Sequence, residues 1–322
     1  MSPTYNPDAI VEGVPNFSEG ADAAKVATIV AAMRVDGVRL LDWSMDAAHN
    51  RSVVTVAGPP AAVVESAVRG VAKAAQLIDL TQQTGVHPRI GAADVVPFVP
   101  VSGISLAECA VLARQAGMEI WKRAAVPVYF YEAAAARADR MNLEDVRRGQ
   151  FEGLRESAHR DPLRHPDVGG PQVHPTAGAS AVGARRFLIA YNIYLQPAAR
   201  TNHLPTSAQP EISAVRAIAR AIRASDGGLH GVKAIGVSVN GRAQLSMNIT
   251  DHRVVSVPQI HRRVRELARS HGVSIAEGEL IGLIPEEAYD PAADWVREIP
   301  GFDPEARVLE RRLNHPLPWP GE

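Results

Sequence analysis

Three clusters of polar side chains in this sequence have the residue types needed to move a proton or bind an anion. The first is GVHPRIG at positions 85–91, where Pro88 restricts the backbone of His87 to extended conformations and the glycines permit a tight chain path. An imidazole held there, with the guanidinium of Arg89 two residues away, suits proton transfer beside an anionic ligand. A turn in which His87 only hydrogen-bonds the backbone explains the same residues, so both interpretations stay open.

The second cluster lies at residues 42–51, at the end of the apolar segment 38–43 and directly after it. If a strand continues through these residues, alternation places Asp42 and Ser44 on one face. The alternative is a charged loop closed by its own Asx turns. Its members are Asp42, Ser44, Asp46, His49, Asn50 and Arg51.

The third cluster combines small residues with paired cations. Residues 166–178 are rich in glycine and proline, and Arg185 and Arg186 follow. Small residues let a backbone approach a flat ligand, and arginines bind carboxylates well. A linker between domains, followed by a strand with exposed basic residues, accounts for the same pattern.

Composition narrows the function classes. The 322 residues suggest two domains or one large one, and 34 Lys and Arg against 35 Asp and Glu argue against a chain built around nucleic acid. The single cysteine, Cys109, excludes an internal disulfide, and no His/Cys set has metal spacing, so we expect no metal. His261, beside Arg262 and Arg263, is interpreted as having a solvated or capping role.

No apolar run approaches the roughly 18 residues of a membrane span. The first residues, MSPTYNPDA, have neither the basic start nor the apolar core of a signal peptide. We therefore expect a cytoplasmic protein that does not associate with membranes.

Hydrophobic periodicity predicts the elements that position these clusters in the N-terminal half. Their order is strand, helix, strand, strand, helix, strand, followed by one more helix and strand. The strands are predicted at 10–14, 38–43, 52–57, 95–99 and 126–131, and the helices at 21–33, 59–77 and 106–116.

The C-terminal half repeats this order. Strands are predicted at 187–195, 232–239, 243–249 and 280–284, with helices around Ile212–Ile222 and Ile260–Leu267 and a hairpin turn at Asn240-Gly241. The pattern predicts an α/β fold of the α+β type, with two tandem ferredoxin-like βαββαβ subdomains over residues 1–180 and 181–322. The poorly periodic residues 147–184 form either a linker or a set of binding loops.

Seven segments, in order along the chain, resemble the formiminotransferase domain of the glutamate formimidoyltransferase family in its stand-alone bacterial form. They are VPNFSEG (14–20), HNRSVVTVAGPP (49–60), HPRIGAADVVPFVPV (87–101), PVYFYEAAA (127–135), GARRFLIAYNIYL (183–195), AQLSMNITD (243–251) and ELIGLIPEEA (279–288).

The resemblance implies a reaction. A formimidoyl group moves from N-formimidoyl-L-glutamate to N5 of tetrahydrofolate, the co-substrate, in histidine degradation. It further implies a folate-binding cleft between two α/β subdomains, a homodimer, and a separate cyclodeaminase acting downstream.

The resemblance also assigns roles to residues. The catalytic histidine falls on His87, whose imidazole, with a pKa near neutrality, would take the proton of N5 and return it to the departing nitrogen. The folate-contacting segment corresponds to Asp167, Gly169, Gly170, Pro171, His174, Thr176 and Gly178. Candidates for binding the glutamate substrate or the folate tail are Asp42, Asn50, Arg51, Arg89, Arg185 and Arg186.

One position departs from the family pattern. Animal members carry an aspartate, thought to assist the histidine, where this chain has Ser44. A serine hydrogen-bonds but cannot hold a negative charge, so Asp46 or His49 is expected to take over that catalytic assistance.

This departure keeps two other functions open. One is a folate-dependent formimidoyl or formyl transferase acting on a substrate other than glutamate in specialised metabolism. The other is a folate-binding module without catalysis, against which the presence of both His87 and Arg89 argues.

Overall fold

The computed structural model describes residues 5–47, 49–85, 87–198 and 210–322. The chain divides into two compact units. The first comprises Met1–Arg185 together with Pro316–Glu322, and the second comprises Arg186–His315.

Within its described residues, the first unit has seven strands and five α-helices. The strands are β1 (Ile10–Gly13), β2 (Asn16–Phe17), β3 (Arg39–Asp46), β4 (Arg51–Gly58), β5 (Ala93–Ser102), β6 (Val128–Glu132) and β7 (Ser180–Ala184). The helices are α1 (Ala23–Ala32), α2 (Pro60–Leu77), α3 (Leu106–Ala124), α4 (Leu143–Val146) and α5 (Gln150–Ser157).

One mixed sheet joins these strands. Its first part has the order β3-β4-β1/β2-β5, with every pairing antiparallel. This is the strand order of a ferredoxin-like βαββαβ unit, and it confirms the element order predicted from periodicity. The sheet then continues through β7 and β6, which pair in parallel, so β7 lies between two strands that precede it in the chain.

Helices α1 and α2 pack closely because of one glycine. A Cβ added at Gly70 would lie 2.8 Å from Cγ of Met33 and 3.2 Å from Phe17. The absence of a side chain lets Met33 and Phe17, both fully buried, fill the space beneath α2. The segment Pro316–Glu322 also packs on this unit, where the amide of Leu317 donates to the carbonyl of Leu40 and Trp319 is buried.

The second unit has four strands and five α-helices in the part of the chain that the structure describes. In order these elements are β8 (Ile189–Pro197), α6 (Pro210–Ile222), β9 (Val232–Val239), β10 (Arg242–Ile249), α7 (Val257–Ser270), β11 (Val273–Ile281), α8 (Asp294–Arg297), α9 (Pro304–Arg307) and α10 (Leu309–Asn314). The antiparallel order β11-β8-β10-β9 confirms the second βαββαβ unit.

Two predictions for this unit have different outcomes. Asn240 and Gly241, with φ of 50° and 78°, form the predicted hairpin turn between β9 and β10. The last strand was predicted at 280–284, but β11 begins at Val273 and ends at Ile281. A register irregularity between Ile275 and Glu277 interrupts the alternation that a sequence pattern needs.

The interpretation of His261 as a solvated or capping side chain is wrong. The residue is 2% exposed on α7, and its Nε2 lies 2.6 Å from a carboxylate oxygen of Glu298. Helical spacing places it beside Val257 and Val264 on the buried face, although two arginines follow it directly.

None of the described helices combines the length and apolar composition that a membrane crossing requires.

Candidate active site

The loop before β5 and the first residue of β4 bring a histidine against an arginine. Nη1 of Arg51 lies 2.9 Å from Nδ1 of His87. A guanidinium only donates hydrogen bonds, so Nδ1 of His87 must accept. The proton of the neutral imidazole is therefore on Nε2.

This environment keeps His87 neutral. Burial, followed by the charges of Arg51 and Arg147, lowers the pKa of His87 to about 3, and the opposing effect of Asp94 is smaller. This value lies below the near-neutral pKa that the family resemblance implies, because burial and two guanidiniums, which the sequence does not show, act on the ring. A neutral imidazole with its proton on Nε2 can donate a hydrogen bond to a reacting group.

A buried carboxylate on β5 anchors both arginines. Asp94 is fully buried, and its Oδ2 accepts from Arg51 at 3.0 Å and from Arg147, while its Oδ1 accepts from the amide of Ile90. Burial alone would raise the pKa of Asp94, but Arg147 and Arg51 together outweigh burial and hold it below its usual value. Burial lowers the pKa of Arg51 to about 10, which leaves it charged at neutral pH.

Sequence reasoning missed three residues of this cluster. They are Asn16, whose Oδ1 accepts from Arg51 at 2.7 and 3.2 Å, and the pair Asp94 and Arg147. The signal for two of them was present, because Asn16 and Asp94 lie within the segments VPNFSEG and HPRIGAADVV. Arg147 follows the short helix α4 in the poorly periodic region, where no pattern marks it.

A third guanidinium lies close by. Arg185 hydrogen-bonds to Tyr131, and burial raises the pKa of this tyrosine despite the opposing charges of Arg185 and Arg147. Arg51, Arg147 and Arg185 all lie within electrostatic reach of Tyr131. Three guanidiniums this close together suit an anionic ligand.

A second imidazole lies beside His87. His49 and His87 have ring centroids 6.5 Å apart in an edge-on arrangement. Asp46, the last residue of β3, holds His49 through both carboxylate oxygens, with Oδ2 2.7 Å from Nδ1 and Oδ1 2.9 Å from the backbone amide. Ser44 lies two residues earlier on β3 and is exposed, with Asp42 half-buried before it.

Two predicted substrate-binding residues make contacts within the protein. Arg89 is buried and donates to the side chain and carbonyl of Gln83 and to Glu152 at 3.0 to 3.1 Å. Asn50 accepts from the amide of Gly20 and donates to the carbonyl of Thr84, both within 3.0 Å. These contacts brace the loop that carries His87, and a role of either residue in binding substrate stays a prediction.

The predicted folate-contacting segment meets the His87 loop through the backbone. Gly178 forms a bridge with Gly91, and a Cβ at Gly178 would lie 2.1 Å from the carbonyl oxygen of Ile90. His174 and Gly178 exchange two backbone hydrogen bonds, and Nδ1 of His174 accepts from the amides of Thr176 and Ala177. Burial lowers the pKa of His174.

The start of this segment is fixed differently. Asp167 accepts from the amide of Phe130 on β6 and pairs with Arg140 at 2.6 Å. Gly169 has a φ of 76° and passes against the ring of Trp121, so a side chain there would collide with the indole. Gly170 and Pro171 are exposed. The segment is therefore held at both ends and exposed at its centre.

The remaining candidate lies in the second unit. Nε of Arg186 is 3.4 Å from a carboxylate oxygen of Asp251. Nothing in the described contacts of the second unit assigns Arg186 to a ligand, and its predicted role stays untested.

Among residues 5–47, 49–85, 87–198 and 210–322, no group of three or more His, Cys, Asp or Glu side chains is arranged to hold a metal ion. A cavity of about 640 Å³ opens beside Asn50 in the first unit. Its charged lining residues are Glu19, Asp22, Lys25 and Asp79. Acidic groups predominate there, so it suits a dicarboxylate less well than the arginine cluster does.

Two family domains match the chain. The N-terminal subdomain of the formiminotransferase domain matches residues 10–185, and the formiminotransferase domain matches residues 190–310. The chain is 39% identical over 307 residues to the glutamate formimidoyltransferase of Streptococcus pyogenes serotype M1, covering 94% of this chain and 98% of that protein. It is 40% identical over 310 residues to the enzyme of the same name from Thermoplasma acidophilum, covering 95% and 97%.

Fused relatives are also similar. The formimidoyltransferase-cyclodeaminase of Dictyostelium discoideum is 37% identical over 291 residues, which are 89% of this chain and 52% of that protein. The chain thus spans about half the length of the fused relative. Among solved structures, a microcompartment protein from Desulfitobacterium hafniense covers 84% of this chain at 12% identity, and its TM-score of 0.22 carries no argument.

Proposed function

The chain belongs to the formiminotransferase family of transferases, and from this membership we propose that it moves a formimidoyl group from N-formimidoyl-L-glutamate to N5 of tetrahydrofolate. The products are 5-formimidoyltetrahydrofolate and L-glutamate, a step of histidine degradation. The observation that carries the proposal is the similarity to two glutamate formimidoyltransferases over nearly their whole length.

The chemistry of the His87 cluster supports this reaction. Formimidoylglutamate brings two carboxylates, and Arg147 and Arg185 supply guanidiniums, the side-chain groups best suited to bind carboxylates. His87 lies directly on Arg51, so an amidine next to a bound carboxylate would meet the imidazole. Holding two substrates together contributes much of the rate enhancement in reactions of this kind.

Tetrahydrofolate is proposed to contact the exposed centre of residues 166–178. The backbone bridge between Gly178 and Gly91 supports this assignment, since it ties the segment to the loop of His87. Glycine-rich, exposed backbone lets a flat pteridine ring approach closely.

Three further features belong to the same proposal. The enzyme would act as a homodimer in the cytoplasm, without a metal. A separate cyclodeaminase would convert its product, because the fused relatives name that activity beside the transferase. Size-exclusion chromatography with light scattering tests the dimer.

The first experiment measures the reaction itself. Purified protein is mixed with tetrahydrofolate and N-formimidoyl-L-glutamate, and 5-formimidoyltetrahydrofolate and glutamate are followed by mass spectrometry. We expect turnover by the wild type and at least about a hundredfold loss in His87→Ala, since removing a group that assists the reacting bonds costs about that much.

Ser44 gives a specific reason to keep a second candidate, a one-carbon transferase with a donor other than glutamate. Tetrahydrofolate binding without turnover of formimidoylglutamate would reject the glutamate donor and favour this candidate. Absence of folate binding would reject both enzymes. Binding and turnover that are unchanged in His87→Ala would contradict the site.

A further inference from the structure

The two imidazoles of the site have opposite hydrogen-bonding polarity. A carboxylate only accepts, so Asp46 takes the hydrogen bond of Nδ1–H of His49 at 2.7 Å, and the free lone pair of His49 is on Nε2. Arg51 only donates, so the lone pair of His87 is engaged on Nδ1 at 2.9 Å and its proton is on Nε2. One ring therefore offers an acceptor at Nε2 and the other offers a donor.

We propose that His49, oriented by Asp46, is the general base of the transfer, and that His87, oriented by Arg51, is a neutral hydrogen-bond donor to the amidine. The inference rests on the proposed function and divides its proton chemistry between two residues. Both rings belong to the first unit, and their centroids are 6.5 Å apart, close enough to act on one small group between them.

The step balances with these two roles. The amidine is strongly basic and reacts as an amidinium. As N5 of tetrahydrofolate attacks its carbon, Nε2 of His49 accepts the N5 proton, and the electron pair of the C=N bond moves to the protonated imino nitrogen, which becomes a neutral amino group with a lone pair. His87 stabilises that nitrogen with Nε2–H. The pair then returns to the C=N bond, the bond from carbon to the glutamate nitrogen breaks, and His49 gives its proton to the leaving nitrogen.

The surroundings of each ring favour this division. His87 faces Arg51, Arg147 and Asp94, and the two guanidiniums disfavour a second proton on its ring. Nδ1 of His49 is held by the carboxylate of Asp46, which leaves Nε2 as the nitrogen available to accept a proton. The His49 side chain is 39% exposed, so a substrate can reach it. Asp46 also lies on the same strand as Ser44, so it places a carboxylate at the site where the family aspartate is replaced.

Glutamine substitutions separate the two roles, because an amide donates hydrogen bonds but cannot act as a base at neutral pH. We expect His49→Gln to lose about a hundredfold or more in kcat/KM. His87→Gln should stay within about tenfold of the wild type, whereas His87→Ala loses about a hundredfold. His159→Gln, which changes an exposed histidine of the same unit, is the matched control and should keep wild-type turnover.

Asp46→Asn tests the positioning residue. An asparagine can turn its NH2 group toward Nδ1 of His49 and so reverse the hydrogen-bonding polarity of the ring, which should lower kcat while KM for formimidoylglutamate stays unchanged. A residue that only supports the loop would change KM and kcat together. Circular dichroism and tetrahydrofolate binding confirm that each variant is folded.

Two results would overturn the inference. One is wild-type turnover in His49→Gln, and the other is a His87→Gln variant as inactive as His87→Ala. Either result counts against the inference only if the wild-type protein turns over the two substrates. A wild type without turnover rejects the proposed function itself, so the two failures are distinguished in one set of assays.

Discussion

Two histidines, one in each unit, have partners of opposite charge. His87 in the first unit accepts a hydrogen bond from the guanidinium of Arg51, whereas His261 in the second unit lies against the carboxylate of Glu298. Glu298 is further paired with Arg265, which also contacts Asp294. In the first unit, Arg51 contacts Nδ1 of His87 and leaves Nε2–H for another partner. In the second unit, His261 is part of an ion-pair network beneath α7.

The difference shows how the charge of the partner and the burial of the ring together decide what a histidine does. Burial, together with the cations beside the ring, makes a proton unfavourable and keeps the imidazole of His87 neutral, with a pKa of about 3. A carboxylate beside a buried ring fixes its position, and His261 is 2% exposed. We therefore expect His87 to serve catalysis and His261 to serve stability.

The largest effect on stability should come from replacing Asp94, whose carboxylate balances the charges of Arg51 and Arg147. Asp94→Asn leaves Arg51 and Arg147 buried without their anion, which should lower the free energy of unfolding by about 3 to 5 kcal/mol. Glu298→Gln in the second unit should cost about 1 kcal/mol, since that side chain is 27% exposed. Urea unfolding followed by circular dichroism measures both, and equal losses would contradict the difference between the two clusters.

His261→Ala should separate stability from turnover. Loss of a buried ring and its hydrogen bond should lower the free energy of unfolding by about 2 to 3 kcal/mol, with turnover per folded molecule unchanged. His87→Ala should lose turnover, with the free energy of unfolding little changed. Parallel measurement of urea unfolding and turnover tests this, and a His261→Ala variant that loses turnover at wild-type stability would refute the assignment.

A smaller effect concerns acid stability. The pKa of His87 in the folded chain, about 3, is below the value of about 6.5 in the unfolded chain, so the unfolded chain binds the proton first. Stability present above about pH 6.5 is then lost as the pH falls, by about 1.4 kcal/mol per pH unit from this group. His87→Gln should lack the pH-dependent stability that the titration of His87 contributes. Urea unfolding at about pH 7, 6 and 5 compares the variants, and parallel curves would contradict the prediction.

The order of elements was predictable from the sequence, since strands such as β4 and β10 and helices such as α2 show clear periodicity. β7 was not predicted, because Ser180–Ala184 consists of small residues buried on both faces and shows no alternation. The predicted loop region thus contains an internal strand of the first sheet.

The parts of the candidate site that depend on residues close together in the sequence were predictable. His87 stands out because Pro88 and the flanking glycines constrain its loop, and Asp46 and His49 are only three residues apart. The contact of Asp94 with Arg147 joins residues 53 positions apart, and only the folded chain brings them together. Burial and the charges of Arg51 and Arg147 lower the pKa of His87, and because the folded chain creates all three, this pKa could not be read from the loop sequence.

The position of β7 has a consequence for the order in which the enzyme is assembled. During synthesis from the N terminus, β5 and β6 leave the ribosome before the strand that joins them. The pairing of β5 and β6 with β7 in the first sheet can therefore form only after Ala184 has emerged. Arg147 and residues 166–178 lie in the connection that this pairing organises. Pairing of β7 is thus a late, non-local event, and the candidate active site should be among the last parts of the first unit to acquire its native structure.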